Sequence, residues 1–163
     1  MRPIFRYPTL CALLLAVSCT GPERPLSPAR TAAIRDSVQA ALDGFCRYSA
    51  AGQWDSVLTF YADDPQFRWV EEGVVKVRSV DQIRGYFRGL PPGMKIETTY
   101  RELDVTPLAP GAASVVTGFE TTLIDSAGQR FSFSGLLTMA LVHRAGRWQF
   151  LTGHSSSPVH SAS

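Results

Sequence analysis

The hydrophobic period changes once along this chain, and the change falls at Pro91-Pro92-Gly93. Before that point apolar residues recur at helical spacing; after it they alternate with period two. A chain ordered in this way cannot be a helical bundle or an all-β sandwich. It must lay a few helices against a sheet made mostly by its second half, an α+β arrangement. From Thr31 to Ala50 the apolar positions are Ile34, Val38, Ala41, Leu42, Phe45 and Tyr48, one stripe between charged residues, with Thr31 as the expected N-cap and Gly52 as the stop. Gln53 to Tyr61 predicts a second, shorter helix. Ala62-Asp63-Asp64-Pro65 predicts a turn, because the aspartates bind nearby backbone and Pro65 blocks a helix. Phe67–Val70 and Val74–Val77, separated by Glu71-Glu72-Gly73, predict a hairpin. Ser79 then starts a third helix over Val80–Gly89.

Four long strands are predicted after the break: Lys95–Pro107, Ala112–Ile124, Gln129–Val142 and Arg147–Ser155. The connections between them are short and carry glycine, so the sheet is expected to be an antiparallel meander. Phe131, Phe133, Gly135, Leu137, Met139 and Leu141 form the most regular face. Leu136, Ala140 and Val142, on the other side of that strand, offer an outer sheet face suited to a homodimer.

The N-terminus has a different character. Arg2 and Arg6 precede an apolar run, Leu10 to Val17, which is too short to span a membrane and has the order of a secretory signal peptide. Residues 1–18 are read as that leader, and 19–30, with three prolines, as a tether. Residues 31–157 are the folded domain and 158–163 a tail. The whole chain carries a net charge of +2; leaving out Arg2 and Arg6, 14 basic residues face 14 acidic ones. A neutral body without a basic stripe excludes nucleic acid as a partner. With 3 cysteines in 163 residues there is no disulfide scaffold, and the chain has no glycine-rich phosphate loop, no nucleophile elbow and no metal-ligand spacing. No cofactor or metal is expected.

Leu15-Ala16-Val17-Ser18-Cys19 resembles the lipobox of bacterial lipoproteins, although Leu is usual where Ala16 stands. That resemblance implies lipidation of Cys19 and a location at the cell envelope, in the outer membrane if the host has two membranes. The alternative is an ordinary secreted protein cut near the same point.

Two helices, the turn Phe60-Tyr61-Ala62-Asp63-Asp64, a hairpin, a third helix and four long strands together resemble the nuclear transport factor 2-like superfamily. The segment Gly146-Arg147-Trp148-Gln149-Phe150, leading to His154-Ser155-Ser156, is similar to its SnoaL-like branch. The resemblance implies a cone: three helices packed on a curved antiparallel sheet, with an apolar cavity at the open end. It covers isomerases, dehydratases and cyclases as well as non-catalytic binding domains, so the fold alone does not choose a function.

The residues expected at that cavity are His154, Tyr61, Trp69, Tyr86, Tyr100 and Phe119. His154 shares strand parity with Trp148 and Phe150 if no bulge intervenes, which directs it into the cone. It is the one residue there suited to acid–base work near neutral pH. Asp104 and Glu120 are its possible acidic partners, but neither falls at a spacing that makes a pair. The competing account is a histidine that only holds the last strand in place. Cys46, beside Leu42 and Phe45, reads as an inert structural thiol. Two functions follow. The first is an envelope domain that binds a small apolar ligand, or a protein partner, without catalysis. The second is a cofactor-independent isomerase, dehydratase or cyclase using general acid–base chemistry.

Overall fold

A computed structural model describes residues 25–158. The leader, Cys19, and the tail beyond residue 158 lie outside the described residues. Helix α1 spans Pro28–Ala50, three residues earlier than the cap expected at Thr31. The N-cap is Ser27, whose hydroxyl accepts from the Arg30 N–H at 3.3 Å. Pro28 follows at the first helical position, where its missing N–H has no partner to lose and its fixed φ suits the helix. Residues 28–30, read as the end of a tether, belong to the first turn of this helix. At the other end the Ala51 N–H donates to the Arg47 carbonyl, and Gly52 takes a left-handed φ of +66°. Ile34, Val38 and Leu42 are the buried stripe of α1.

Two short helices complete the layer: α2, Trp54–Leu58, and α3, Val80–Arg88. Ser79 caps α3 by accepting from the Gln82 N–H, while the Gln82 side chain accepts from the Arg78 N–H at 2.7 Å. One long helix and two short ones therefore cover the sheet. Trp54 and Phe87, stacked at 4.8 Å, are half-buried and join α2 to α3.

The strands are β1 (Arg68–Glu71), β2 (Val74–Val77), β3 (Lys95–Ala109), β4 (Ala112–Ile124), β5 (Arg130–Arg144) and β6 (Arg147–Ser156). Their order across the curved sheet is β2-β1-β6-β5-β4-β3. All neighbours are antiparallel except β1 and β6, which run parallel, so the sheet is mixed rather than antiparallel throughout. The meander β3–β6 follows from short glycine turns. The β1–β6 contact joins strands some eighty residues apart and has no turn to set its direction.

The concave face carries the core: Val105, Val115, Leu137, Met139, Leu141, Trp148 and Phe150 from the sheet meet Ile34, Val38 and Leu42. Two polar bonds fix α1 there. Trp148 Nε1 donates to Ser37 Oγ at 2.9 Å, and Arg35 Nε donates to the Val105 carbonyl at 3.0 Å. On the convex face, Leu136 is exposed and Ala140 and Val142 are half-buried among serines, threonines and two exposed ion pairs, Arg101–Glu120 and Arg130–Glu97.

Of the register shifts in the sheet, two bear on which residues face inward. In β3 the register slips between Arg101 and Asp104, with Glu102 at φ +52°. Thr117 Oγ1 donates to the Arg101 carbonyl at 2.8 Å, satisfying a group the ladder leaves free. In β6, Phe150 pairs with Leu141 but Thr152 pairs with Ala140, so Leu151 is the extra residue. That second bulge decides what faces the cavity.

Candidate functional site

A cavity of about 200 Å³ opens between the C-terminal turns of α1 and the ends of the long strands. Its wall is aromatic, and the chain builds it from several elements. Phe60–Ala62 is stapled to β6 by main-chain bonds: the Phe150 N–H donates to the Phe60 carbonyl at 2.7 Å, and the Ala62 N–H donates to the Phe150 carbonyl at 2.9 Å. This holds the Tyr61 ring edge-on to Phe150, Trp69 and Phe67, with centroids 5.4, 6.0 and 5.9 Å away. Phe45 of α1 meets Phe150 in the same manner at 5.2 Å. Edge-to-face pairs of this kind pack the rings tightly against one another. Trp69 lies over Gly153: a Cβ there would stand 2.2 Å from Trp69 Cζ3, so only glycine admits the indole at this place.

The polar groups are few. Ser49, Ser155 and the hydroxyl pair Thr98–Thr121, 2.9 Å apart, line the wall. Glu71 is the one charged residue lining the cavity. It is exposed and stands two residues along β1 from Trp69, on the same face, with Ser155 as its strand partner. Tyr61, Trp69, Glu71, Tyr86 and Phe87 also border a wider groove of about 640 Å³, through which the cavity meets solvent.

Two tyrosine hydroxyls and a thiol beside the cavity are held neutral. Burial pushes the Tyr61 hydroxyl well above its ordinary range, and the nearby Glu71 and Tyr86 push it further. Tyr100 rises for the same first reason, reinforced by Cys46 and Tyr61 and by its own hydrogen bond to Cys46. Burial likewise pushes the Cys46 thiol up to about 11, against the lowering effect of the Tyr100 hydroxyl. A thiol in that state is no nucleophile.

The structure brings Tyr61, Trp69, Tyr86, Tyr100 and Phe119 around this one cavity. Tyr86 stands at its mouth, 58% exposed. His154 is not among them. It is exposed, on the convex face between Val70 and Thr138. The bulge at Leu151 reverses the strand's parity, so Gly153 and Ser155 face inward where an unbroken β6 would have presented His154. Glu120, paired with Arg101, and the exposed Asp104 lie on the convex side too and reach no histidine. His143 packs against Trp148 at the opposite end of the sheet. Among the described residues no histidine lines the cavity, and no three His, Cys, Asp or Glu side chains converge as metal ligands would.

Glu71 went unread in the sequence because Glu71-Glu72-Gly73 has the composition of a hairpin tip. The usable signal was parity: Trp69 and Glu71 are two apart in one strand. Phe45, Ile96, Thr98 and Thr121 follow from helix and strand faces in the same way.

A family model described as a SnoaL-like domain matches residues 38–160. None of the curated proteins matches this chain. Among solved structures, a nuclear transport factor 2-like superfamily protein from Salmonella enterica superposes with a TM-score of 0.66 at 11% identity, covering 80% of this chain and 95% of its own. A ketosteroid isomerase-like protein from Erwinia carotovora atroseptica gives 0.59 at 18% identity, covering 75% and 94%. A type 2 hexachlorocyclohexane dehydrochlorinase gives 0.63 at 14% identity, covering 79% and 88%. At these identities the likeness is one of fold.

Proposed function

The chain belongs to the SnoaL-like domain family, and from that premise we propose that it holds a small, largely apolar ligand in the cavity at the open end of the cone without transforming it. One observation carries this reading: the cavity is walled by aromatic rings and hydroxyls and holds no histidine–carboxylate pair. A pocket of this make gains affinity by burying apolar surface and uses its hydroxyls for orientation. Within the same proposal, the domain is displayed at the cell envelope through a lipid on Cys19.

The test is a thermal shift. Benzyl alcohol is expected to raise Tm in a saturable way, as any ligand of the native state alone must. Ser155→Trp, which fills the mouth from β6, is expected to remove that rise. No saturable shift with benzyl alcohol, in a protein that unfolds cooperatively, would overturn the binding reading.

A second reading is supported by Glu71, a carboxylate sharing the cavity with the Tyr61 hydroxyl. In a cofactor-independent isomerase or dehydratase it would act as a general base, with Tyr61 as a hydrogen-bond donor. That reading requires turnover of some substrate that Glu71→Gln abolishes while the fold is kept.

A further inference from the structure

We infer that the ligand of this cavity is an organic cation: a tertiary or quaternary ammonium group bearing a small apolar substituent. The inference rests on the binding reading above and adds the charge of the guest.

The argument begins with the inventory of charge. Glu71 is the one charged side chain in the cavity wall, and among the described residues no arginine, lysine or histidine accompanies it there. Lys76 borders only the wider outer groove. The ion pairs of the described residues, Arg84–Asp81, Arg101–Glu120, Arg130–Glu97 and Arg144–Asp64, leave Glu71 out. Its neighbour Glu72 is used structurally, accepting the Ser157 N–H at 2.6 Å. Glu71 has no such duty.

The second observation is the cage beside it. Trp69 and Tyr61 stand edge-to-face at 6.0 Å, and each is within about one ring diameter of Phe150, at 6.1 and 5.4 Å. Tyr86 stands at the mouth. Tyr61, Trp69 and Tyr86 line the same cavity as Glu71, and aromatic rings attract a cation seated against their faces, tryptophan most strongly. The two tyrosine hydroxyls whose charge could upset the balance stay neutral.

The alternatives meet the same groups on worse terms. An anion would be repelled by Glu71 and by the ring faces. A neutral guest would gain nothing from the charge of Glu71. A primary ammonium gives up a more strongly held water shell on entering an aromatic wall than an alkylated one does. The methyl groups of an alkylated ammonium suit the apolar wall.

Three matched probes test this: choline, its neutral carbon analogue 3,3-dimethylbutan-1-ol, and the anionic 3,3-dimethylbutanoate. Each is titrated at low salt and read by thermal shift and calorimetry. Choline is expected to bind about tenfold more tightly than the neutral analogue, the range of a desolvated cation–π site with a nearby carboxylate. The carboxylate should bind most weakly. Glu71→Gln, at an exposed position that the fold does not need, is expected to bring choline down to the level of the neutral analogue. Lys76→Gln is expected to preserve the preference for choline. If the neutral analogue binds as tightly as choline, the cation inference falls and the apolar-pocket reading stands. If none of the three binds while benzyl alcohol does, the inference falls likewise. If benzyl alcohol fails as well, both fall together.

Discussion

Cys46 illustrates how a single residue's chemistry follows from its surroundings. It sits on α1 one turn beyond Leu42, with the Tyr100 hydroxyl against its sulfur, and burial pushes the thiol up to about 11. Two consequences can be measured. In the native protein at pH 8, Cys46 should react with iodoacetamide far more slowly than in urea, as read by peptide mass mapping; equal rates would contradict the burial. The second concerns alkaline stability. A raised folded value means that the stabilising contribution is complete below the ordinary 9.0 and is lost as pH rises through about 11. Tyr61 and Tyr100 shift in the same direction, so the urea midpoint should fall steadily over that interval, and Cys46→Ala should make the fall shallower. The inert thiol was legible in the sequence, because its neighbours on the helix are apolar. His154 was not. Its facing depends on one extra residue, Leu151, and nothing in the composition of Trp148–Ser156 announces a bulge there. Parity counted from Phe150 inverts at that residue, and the histidine goes to the convex face.

At the scale of elements, β6 carries the greatest share of the site's order. Phe150, 2% exposed, touches Phe45, Tyr61 and Trp69, and its main chain binds Phe60 and Ala62. Phe150→Ala is expected to cost about 3–5 kcal/mol in urea unfolding, transfer and cavity together. A loss below about 1 kcal/mol would mean that the site collapses around the missing ring. Gly153→Ala tests the next inward position from the opposite direction. The added methyl must displace Trp69, so a loss of about 1–3 kcal/mol is expected, with an altered near-ultraviolet spectrum from the indole. The order of elements was readable because period and turn chemistry are local: the switch at Pro91-Pro92-Gly93 and the glycine turns of the meander say what they are. The parallel β1–β6 pairing was not readable, since a strand's alternation says which face is buried and nothing about the direction of its neighbour. The start of α1 was misread by a few residues because Thr31 and Ser27 are both good caps, and Pro28 settles the matter in favour of Ser27.

At the scale of the whole molecule, the question is what would hold this domain at a membrane. No helix among the described residues is long and apolar enough to cross one. If the chain starts at Cys19 as proposed, net charge favours no electrostatic adsorption, because removing Arg2 and Arg6 leaves 14 basic and 14 acidic residues. A neutral surface gains little from an anionic leaflet, where each basic residue contributes about 1 kcal/mol only when it is in excess near the lipid. Attachment through the proposed lipid on Cys19 is instead hydrophobic, with two or more acyl chains needed for a stable anchor. This separates the lipid proposal from every charge-based one by its salt response. The protein is expected to sediment with membranes, to stay there through a high-salt wash and to leave only with detergent. Mass spectrometry of the detergent extract should find an acylated Cys19 as the first residue. Release by salt alone would mean that charge holds it. A free N-terminus downstream of Cys19, with the protein in the soluble fraction, would remove the anchor and leave a secreted domain whose cavity is loaded from solution.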